Sequence, residues 1–129
     1  MPSLDTNILL RWLLDDVPPQ SALAEGLIAS GVRLRVEDAA LIESVYVLES
    51  VMSASRETIR DAVRLIISTG SLDLDRSLWS ELADVYVEHP KLSVADLYLA
   101  LRARENGATP LLTFDRKLAS QLDEAELLT

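Results

Sequence analysis

The sequence has no cysteine and a single histidine, and these two gaps exclude several kinds of active site. Without cysteine there is no disulfide, no thiolate zinc site and no cysteine nucleophile, a composition that suits a reducing cytosol. His89 lies in a Glu-His-Pro-Lys segment that we predict to be a solvated turn, which disfavours a Ser-His-Asp triad. The four glycines lie far apart, so the chain has neither a dinucleotide fingerprint nor a phosphate-binding glycine loop.

Long apolar runs are also missing. The longest stretch without a charged residue is 106–114, far shorter than the ~20 apolar residues that a membrane helix needs. Asp5 precedes any apolar run, and no basic leader with a small-residue cleavage site is present. We therefore expect a cytoplasmic protein that makes no membrane contact.

The remaining composition is that of a folded domain. Hydrophobic residues make up 49% and charged residues 26% of the 129 residues, which predicts one domain over 1–129. Apolar periodicity and turn residues predict strands that alternate with helices, the strands lying at 1–4, 32–36, 71–75, 110–114 and 126–128. This alternation predicts an α/β fold: a three-layer α/β/α sandwich with a parallel sheet of four or five strands.

Acidic residues dominate the charge, with 21 Asp and Glu against 12 Lys and Arg and a formal net charge of −9. Four of the acids stand among apolar neighbours, where an ionised carboxylate is costly unless it is paired or metal-bound. Two follow predicted strands and two interrupt predicted helices: Asp5, Asp115, Glu43 and Asp96. If they converge at the carboxyl edge of the sheet, they form an oxygen cage suited to one or two Mg²⁺ or Mn²⁺ ions.

Each of these acids also has an ordinary structural interpretation. Asp5 and Asp115 can be helix N-caps, and Asp96 can complete a Ser93-x-x-Asp96 capping box. Glu43 can be a solvated residue of an amphipathic helix. An aspartyl-phosphatase interpretation of Asp5 is weaker, because the second aspartate expected two residues later is Asn7.

Four motifs, in this order, resemble the PIN-domain ribonucleases, and in particular the VapC-type toxins of bacterial toxin–antitoxin pairs. They are Leu4-Asp5-Thr6-Asn7, a lone Glu43, Ser93-x-x-Asp96 and Leu112-Thr113-Phe114-Asp115-Arg116-Lys117. The resemblance spans nearly the whole chain, although the Pro2-Ser3 opening departs from a more hydrophobic first strand and is expected to shorten it. It implies that the four acids are the catalytic, metal-binding quartet and that the residues orienting ligands or substrate are Thr6, Asn7 and Thr113.

The function that follows is a Mg²⁺-dependent endoribonuclease in which metal-activated water attacks an RNA phosphodiester bond. The candidate phosphate contacts are Arg116, foremost, and Lys117, Arg11, Arg33 and Arg35. Glu57 and Asp61 intersperse the stripe of Arg56, Arg60 and Arg64, which we interpret as a solvated helix face. Two alternatives stay open: an RNA-processing nuclease of the same fold without an antitoxin, and a catalytically silent protein-interaction domain.

The first and third predicted helices carry more apolar surface than one sheet can cover. Between Ile8 and Leu14 only Arg11 is polar, and between Ala39 and Leu48 only Glu43 and Ser44 are strongly polar. Other helices of the domain can cover this surface. The resemblance implies instead a homodimer contact and a small cognate antitoxin protein that closes the acidic pocket.

Overall fold

A computed structural model describes all residues, 1–129. The chain divides into two compact units, 1–76 and 77–129, and each is described by itself below. The prediction of an α/β fold with parallel strands is confirmed. The structure has seven helices and four short strands in chain order: α1 (Thr6–Leu14), α2 (Pro18–Ala29), β1 (Leu34–Arg35), α3 (Asp38–Ser50), α4 (Arg56–Ser68), β2 (Leu72–Asp73), α5 (Arg76–Glu88), α6 (Val94–Glu105), β3 (Leu111–Thr113), α7 (Arg116–Gln121) and β4 (Ala125–Leu127).

In the first unit, the strands are shorter than predicted. β1 and β2 pair in parallel, with Arg35 opposite Asp73. The predicted strand 1–4 reduces to one parallel bridge between Ser3 and Arg35, with the Leu4 amide donating to the Arg35 carbonyl at 2.8 Å. Proline has no amide hydrogen to donate, so Pro2 limits the length of this ladder. The first strand ends where α1 begins.

The helices of the first unit begin and end where local sequence signals predict. Asp5 caps α1, and the Ser55 hydroxyl caps α4 by accepting from the Thr58 amide at 3.1 Å. Gly31 follows α2 with a φ of 77°, a left-handed conformation that glycine adopts without a steric penalty. Contacts link α1 with α2 and α3, and α3 with α4. These contacts hold the start of α1 beside α3.

In the second unit, α6 and α7 both contact β3, which pairs in parallel with β4. Trp79 of α5 is fully buried and stacks on Tyr98 of α6, with ring centroids 6.1 Å apart. The Arg102 guanidinium lies 5.4 Å from the centre of the Tyr98 ring.

The prediction that 110–114 is a buried strand is wrong. Leu112 is 58% and Phe114 is 80% exposed, whereas Leu111 and Thr113 between them are half-buried. Side chains alternate across a strand, so one face of β3 points to solvent although its sequence is apolar on both faces. No helix of the structure is long and apolar enough to cross a membrane.

Candidate active site

Asp5 lies at the junction of the first bridge and α1. Its backbone is extended, with φ −75° and ψ 154°, and the next residue begins the helix. One carboxylate oxygen, Oδ1, accepts a hydrogen bond from the Asn7 amide at 2.7 Å, as an N-cap does. The cap bond fixes the direction of the carboxylate and leaves its other oxygen without a partner.

Glu43 reaches the same place from α3. The Thr6 hydroxyl donates to Glu43 Oε2 at 2.7 Å, although the two residues are 37 positions apart in sequence. This bond joins the first turn of α1 to α3 and again leaves one carboxylate oxygen, Oε1, unpartnered. The two acids therefore lie at one site, each with a free oxygen.

A cavity of about 540 Å³ contains this pair of acids. Its walls carry no lysine, arginine or histidine; the lining residues are Leu4, Asp5, Thr6, Asn7, Glu37, Ala39, Ala40, Glu43 and Val47. Sequence reasoning placed Asp5, Thr6, Asn7 and Glu43 at the site but missed Glu37. The signal was present, since Glu37 closely follows β1 just as Asp5 follows the first bridge.

Glu37 differs from the other two acids because it is ion-paired. Its Oε1 accepts from Arg35 Nε at 3.1 Å, and Arg35 Nη1 also reaches Asp73 at 3.2 Å. The hydrogen bond to Glu37 raises the pKa of the Arg35 guanidinium above its ordinary value, with burial opposing and Asp73 reinforcing the increase. The uncompensated negative charge of the cavity is therefore that of Asp5 and Glu43.

The expectation that the acids sit in buried apolar positions is wrong for these two. Asp5 and Glu43 are exposed, because an N-cap lies at a helix end and Glu43 lies on the face of α3 away from the buried Leu41, Val45 and Leu48. Apolar neighbours in sequence do not bury a side chain when the helix turns it outward. The open cavity, rather than burial, distinguishes the pair.

Asp96 belongs to the second unit, in the first turn of α6. The Ser93 hydroxyl accepts from the Asp96 amide at 3.1 Å, but the Asp96 carboxylate makes no return bond to Ser93. The capping box is thus half formed. The half-buried carboxylate has no hydrogen-bond or ion-pair partner.

Asp115 follows β3 and caps α7. Its Oδ1 accepts from the amides of Lys117 at 2.9 Å and Leu118 at 3.2 Å, and its own amide donates to the Thr113 hydroxyl at 3.0 Å. Thr113 therefore orients the Asp115 backbone, and the second carboxylate oxygen is free. Asp96 thus lies in the first turn of α6, and Asp115 lies between β3 and α7.

The candidate phosphate contacts differ in their availability. Arg11 lies in the last turn of α1. Its Nε lies 3.4 Å from Asp16 Oδ1 without hydrogen-bond geometry. Arg33 and Arg35 share Asp73. Arg116 and Lys117 are exposed and have no partner. Of the five candidates, only these last two present unpaired positive charge.

A family model described as the PIN domain matches residues 3–123. The chain belongs to the PIN family. PIN domains are nuclease folds, and their activity generally depends on divalent metal ions. A search of curated proteins gives no match. The family match spans all four predicted acids, and the quartet's joint role as metal ligands stays a prediction.

The donor chemistry of this PIN domain fits a hard divalent cation. Asp5 and Glu43 each offer a free carboxylate oxygen in a cavity that no basic side chain lines, and Mg²⁺ and Mn²⁺ prefer oxygen ligands. Mg²⁺ keeps several of its waters, so it needs few protein ligands. Nowhere in the chain do three His, Cys, Asp or Glu side chains form a group spaced to hold a metal ion.

Proposed function

We propose that this PIN domain is a metal-dependent endoribonuclease that hydrolyses RNA phosphodiester bonds, with Asp5, Glu43, Asp96 and Asp115 as its essential acids. The observation that carries the proposal is the cavity in which Asp5 and Glu43 present free oxygens with no cation to neutralise them. Two uncompensated carboxylates repel each other and also repel the polyanionic substrate. A bound cation reduces both repulsions. Mg²⁺, one ion or two, is the cofactor that we propose, with Mn²⁺ as a substitute.

A metal ion bound at the acids would supply the positive charge that attracts the scissile phosphate and activates water. The chain's own groups keep the carboxylates in place. The Asn7 amide fixes Asp5, the Thr6 hydroxyl fixes Glu43, and the Lys117 and Leu118 amides fix Asp115. Because these bonds exist before any ligand arrives, little reorganisation accompanies binding.

The test is cleavage of total cellular RNA in Mg²⁺ or Mn²⁺ by the wild type and by Asp5→Asn, Glu43→Gln, Asp96→Asn and Asp115→Asn. We expect each variant to lose activity by about 100-fold or more, because each removes a charge that the reaction needs. Asp123→Asn is the matched control, since Asp123 is an exposed acid of the same chain with no partner. Full activity in Asp96→Asn would show that the charge of the Asp96 carboxylate has no part in the reaction. A wild type that cleaves no RNA would favour the protein-interaction alternative.

We further propose that the enzyme is the toxin of a toxin–antitoxin pair and forms a homodimer. The support is a second cavity, of about 310 Å³, between α1 and α2, lined by Asn7, Ile8, Arg11, Gln20, Leu23, Ala24 and Leu27. Leu23 is 76% exposed at this groove, so an apolar segment of a small partner protein could cover it. Asn7 lines both cavities, and a partner in the groove would therefore lie beside the acidic site.

A further inference from the structure

Phe114 is the only phenylalanine in the chain and its most exposed large hydrophobic residue, at 80%. It directly precedes Asp115, at the end of β3. Leu112, two residues earlier on the same face of the strand, is 58% exposed. An aromatic ring left in water beside an essential acid has no role in the packing of the protein itself.

The positive charge near this ring is also unused. Three basic side chains have no carboxylate or carbonyl partner: Lys91, Arg116 and Lys117. Every other lysine and arginine is engaged within the chain. Arg116 and Lys117 immediately follow Asp115. Lys91 lies two residues before Ser93, the cap of α6.

We propose that Phe114 stacks on an unpaired nucleobase of single-stranded RNA while Arg116 and Lys117 bind the adjoining phosphates. This inference rests on the proposed ribonuclease function and names the part of the substrate that it holds. An exposed ring with two free cations close to it in sequence suits the two chemical parts of a nucleotide, the aromatic base and the anionic phosphate. A protein partner that covered only the apolar face would leave both cations without a counter-charge.

Charge favours RNA at this place for a second reason. The chain carries a formal charge of −9, so most of its surface repels a polyanion. Unpaired cations that are adjacent to an essential acid would offset that repulsion locally.

Stacking on Phe114 would also select single-stranded over duplex RNA, because a paired base is already stacked within its helix.

Binding is measured in the Asp96→Asn background, with a fluorescent single-stranded oligonucleotide that contains 2-aminopurine, whose emission falls when it stacks. We expect Phe114→Ala and Phe114→Leu each to weaken binding about 5- to 100-fold and to abolish the quenching. Phe114→Tyr keeps the ring and should keep both. Leu99→Ala, a residue of the same unit that is 51% exposed, is the control and should bind as the parent does. Unchanged thermal melting confirms that the variants fold.

The salt dependence tests the cations separately. Each phosphate contact on a single strand contributes about 0.7 to the slope of log K against log salt. Arg116→Ala with Lys117→Ala should lower that slope by about 1.4, whereas Phe114→Ala should leave it unchanged. An unchanged slope in the double variant would overturn the phosphate contacts.

The remaining outcomes separate this inference from the function on which it rests. If the wild type cleaves RNA and Phe114→Ala leaves KM, affinity and quenching unchanged, stacking is wrong and the nuclease function stands. If Phe114→Leu binds and quenches like the parent, an apolar contact suffices and stacking is wrong. If Phe114→Ala converts a dimer to a monomer without altering affinity per chain, the surface joins two copies of the chain. A wild type that neither cleaves nor binds RNA overturns both proposals.

Discussion

At the scale of single residues, Asp5 and Asp115 are helix caps, and each carboxylate still has an oxygen available for the proposed metal. Each carboxylate gives one oxygen to backbone amides and keeps the other free. The hydrogen bonds to one oxygen restrict rotation of the side chain, so the other oxygen has a fixed direction before a ligand binds. The capping interpretation of these aspartates is confirmed, and their role as metal ligands stays a prediction.

The cap and the charge of Asp115 can be separated by substitution. Asparagine keeps a capping oxygen, so Asp115→Asn should unfold in urea within about 0.5 kcal/mol of the wild type while it loses RNA cleavage. Asp115→Ala removes the acceptor and should cost about 1 kcal/mol. If Asp115→Asn is destabilised as much as Asp115→Ala, the charge rather than the cap stabilises α7.

The Thr6 hydroxyl holds the Glu43 carboxylate, so the proposed function makes Thr6 a positioning residue. Thr6→Ala should lower kcat about tenfold and raise the Mg²⁺ concentration needed for half-maximal activity, with little change in thermal stability. Thr6→Ser retains the hydroxyl and should restore both quantities. A Thr6→Ala enzyme with the wild-type metal dependence would show that this bond has no role at the site.

Two residues were missed for a physical reason, although Glu37 carried the signal of closely following a strand. Glu37 looks like an ordinary helix-start acid, and its place in the cavity depends on how α3 packs on α1. Phe114 lies in an apolar run, and nothing in that run says which face of the strand is covered. Local sequence reports capping and periodicity, whereas exposure depends on the partners of an element.

At the scale of elements, an ion-pair network joins α5, α6 and the turn before β4. Arg104 contacts both carboxylate oxygens of Glu81 and approaches Glu124 at 3.3 Å. The hydrogen bond from Arg104 lowers the pKa of Glu81 below its ordinary value of 4.5. A lowered pKa means that the folded state prefers the ionised carboxylate.

The pH dependence of this pair follows from that direction. The stabilisation is fully present above pH 4.5 and is lost as the pH falls below it. Because both side chains are more than a third exposed, we expect Glu81→Gln to cost only about 0.2–1 kcal/mol of unfolding free energy at pH 7. The difference from the wild type should shrink toward pH 3. Glu88→Gln, an exposed acid of α5 without a partner, should show no such pH dependence.

Helix positions were predictable from sequence, and strand lengths were not. Caps such as Ser55, Ser93 and Asp115 act over two or three residues, so the sequence around them suffices to locate a helix start. Strand length depends on how far a distant partner runs alongside, which is why 32–36 and 71–75 each shorten to two paired residues. Of the extra residues, Ser71 and Val36 still make single backbone hydrogen bonds across the pair, at 3.0 and 2.8 Å, but they lie outside the two strands.

At the scale of the whole molecule, the partner proposal makes a prediction that can be tested separately from RNA cleavage. If a small neighbouring-gene product covers the groove between α1 and α2, Leu23→Asp should weaken its binding and inhibition at least about tenfold, because a charge would be buried in an apolar contact. RNA cleavage by the free enzyme should be unchanged. Leu99→Asp, on α6, is the control.

The toxin proposal can be contradicted while the ribonuclease proposal stands. We expect sedimentation at micromolar concentration to show a dimer. A monomeric chain that its neighbour's product neither binds nor inhibits would leave a PIN-domain ribonuclease that acts without an antitoxin.

The most direct test of the account is end-group analysis of RNA cleaved by the purified chain with and without divalent metal. Cleavage should stop in EDTA, return with Mg²⁺ or Mn²⁺, and leave 5′-phosphate and 3′-hydroxyl ends, because water is the attacking group. Cleavage that persists in EDTA would contradict the account, because no divalent metal would then be needed. Products ending in a 2′,3′-cyclic phosphate would also contradict it, because the RNA's own 2′-hydroxyl would then be the nucleophile.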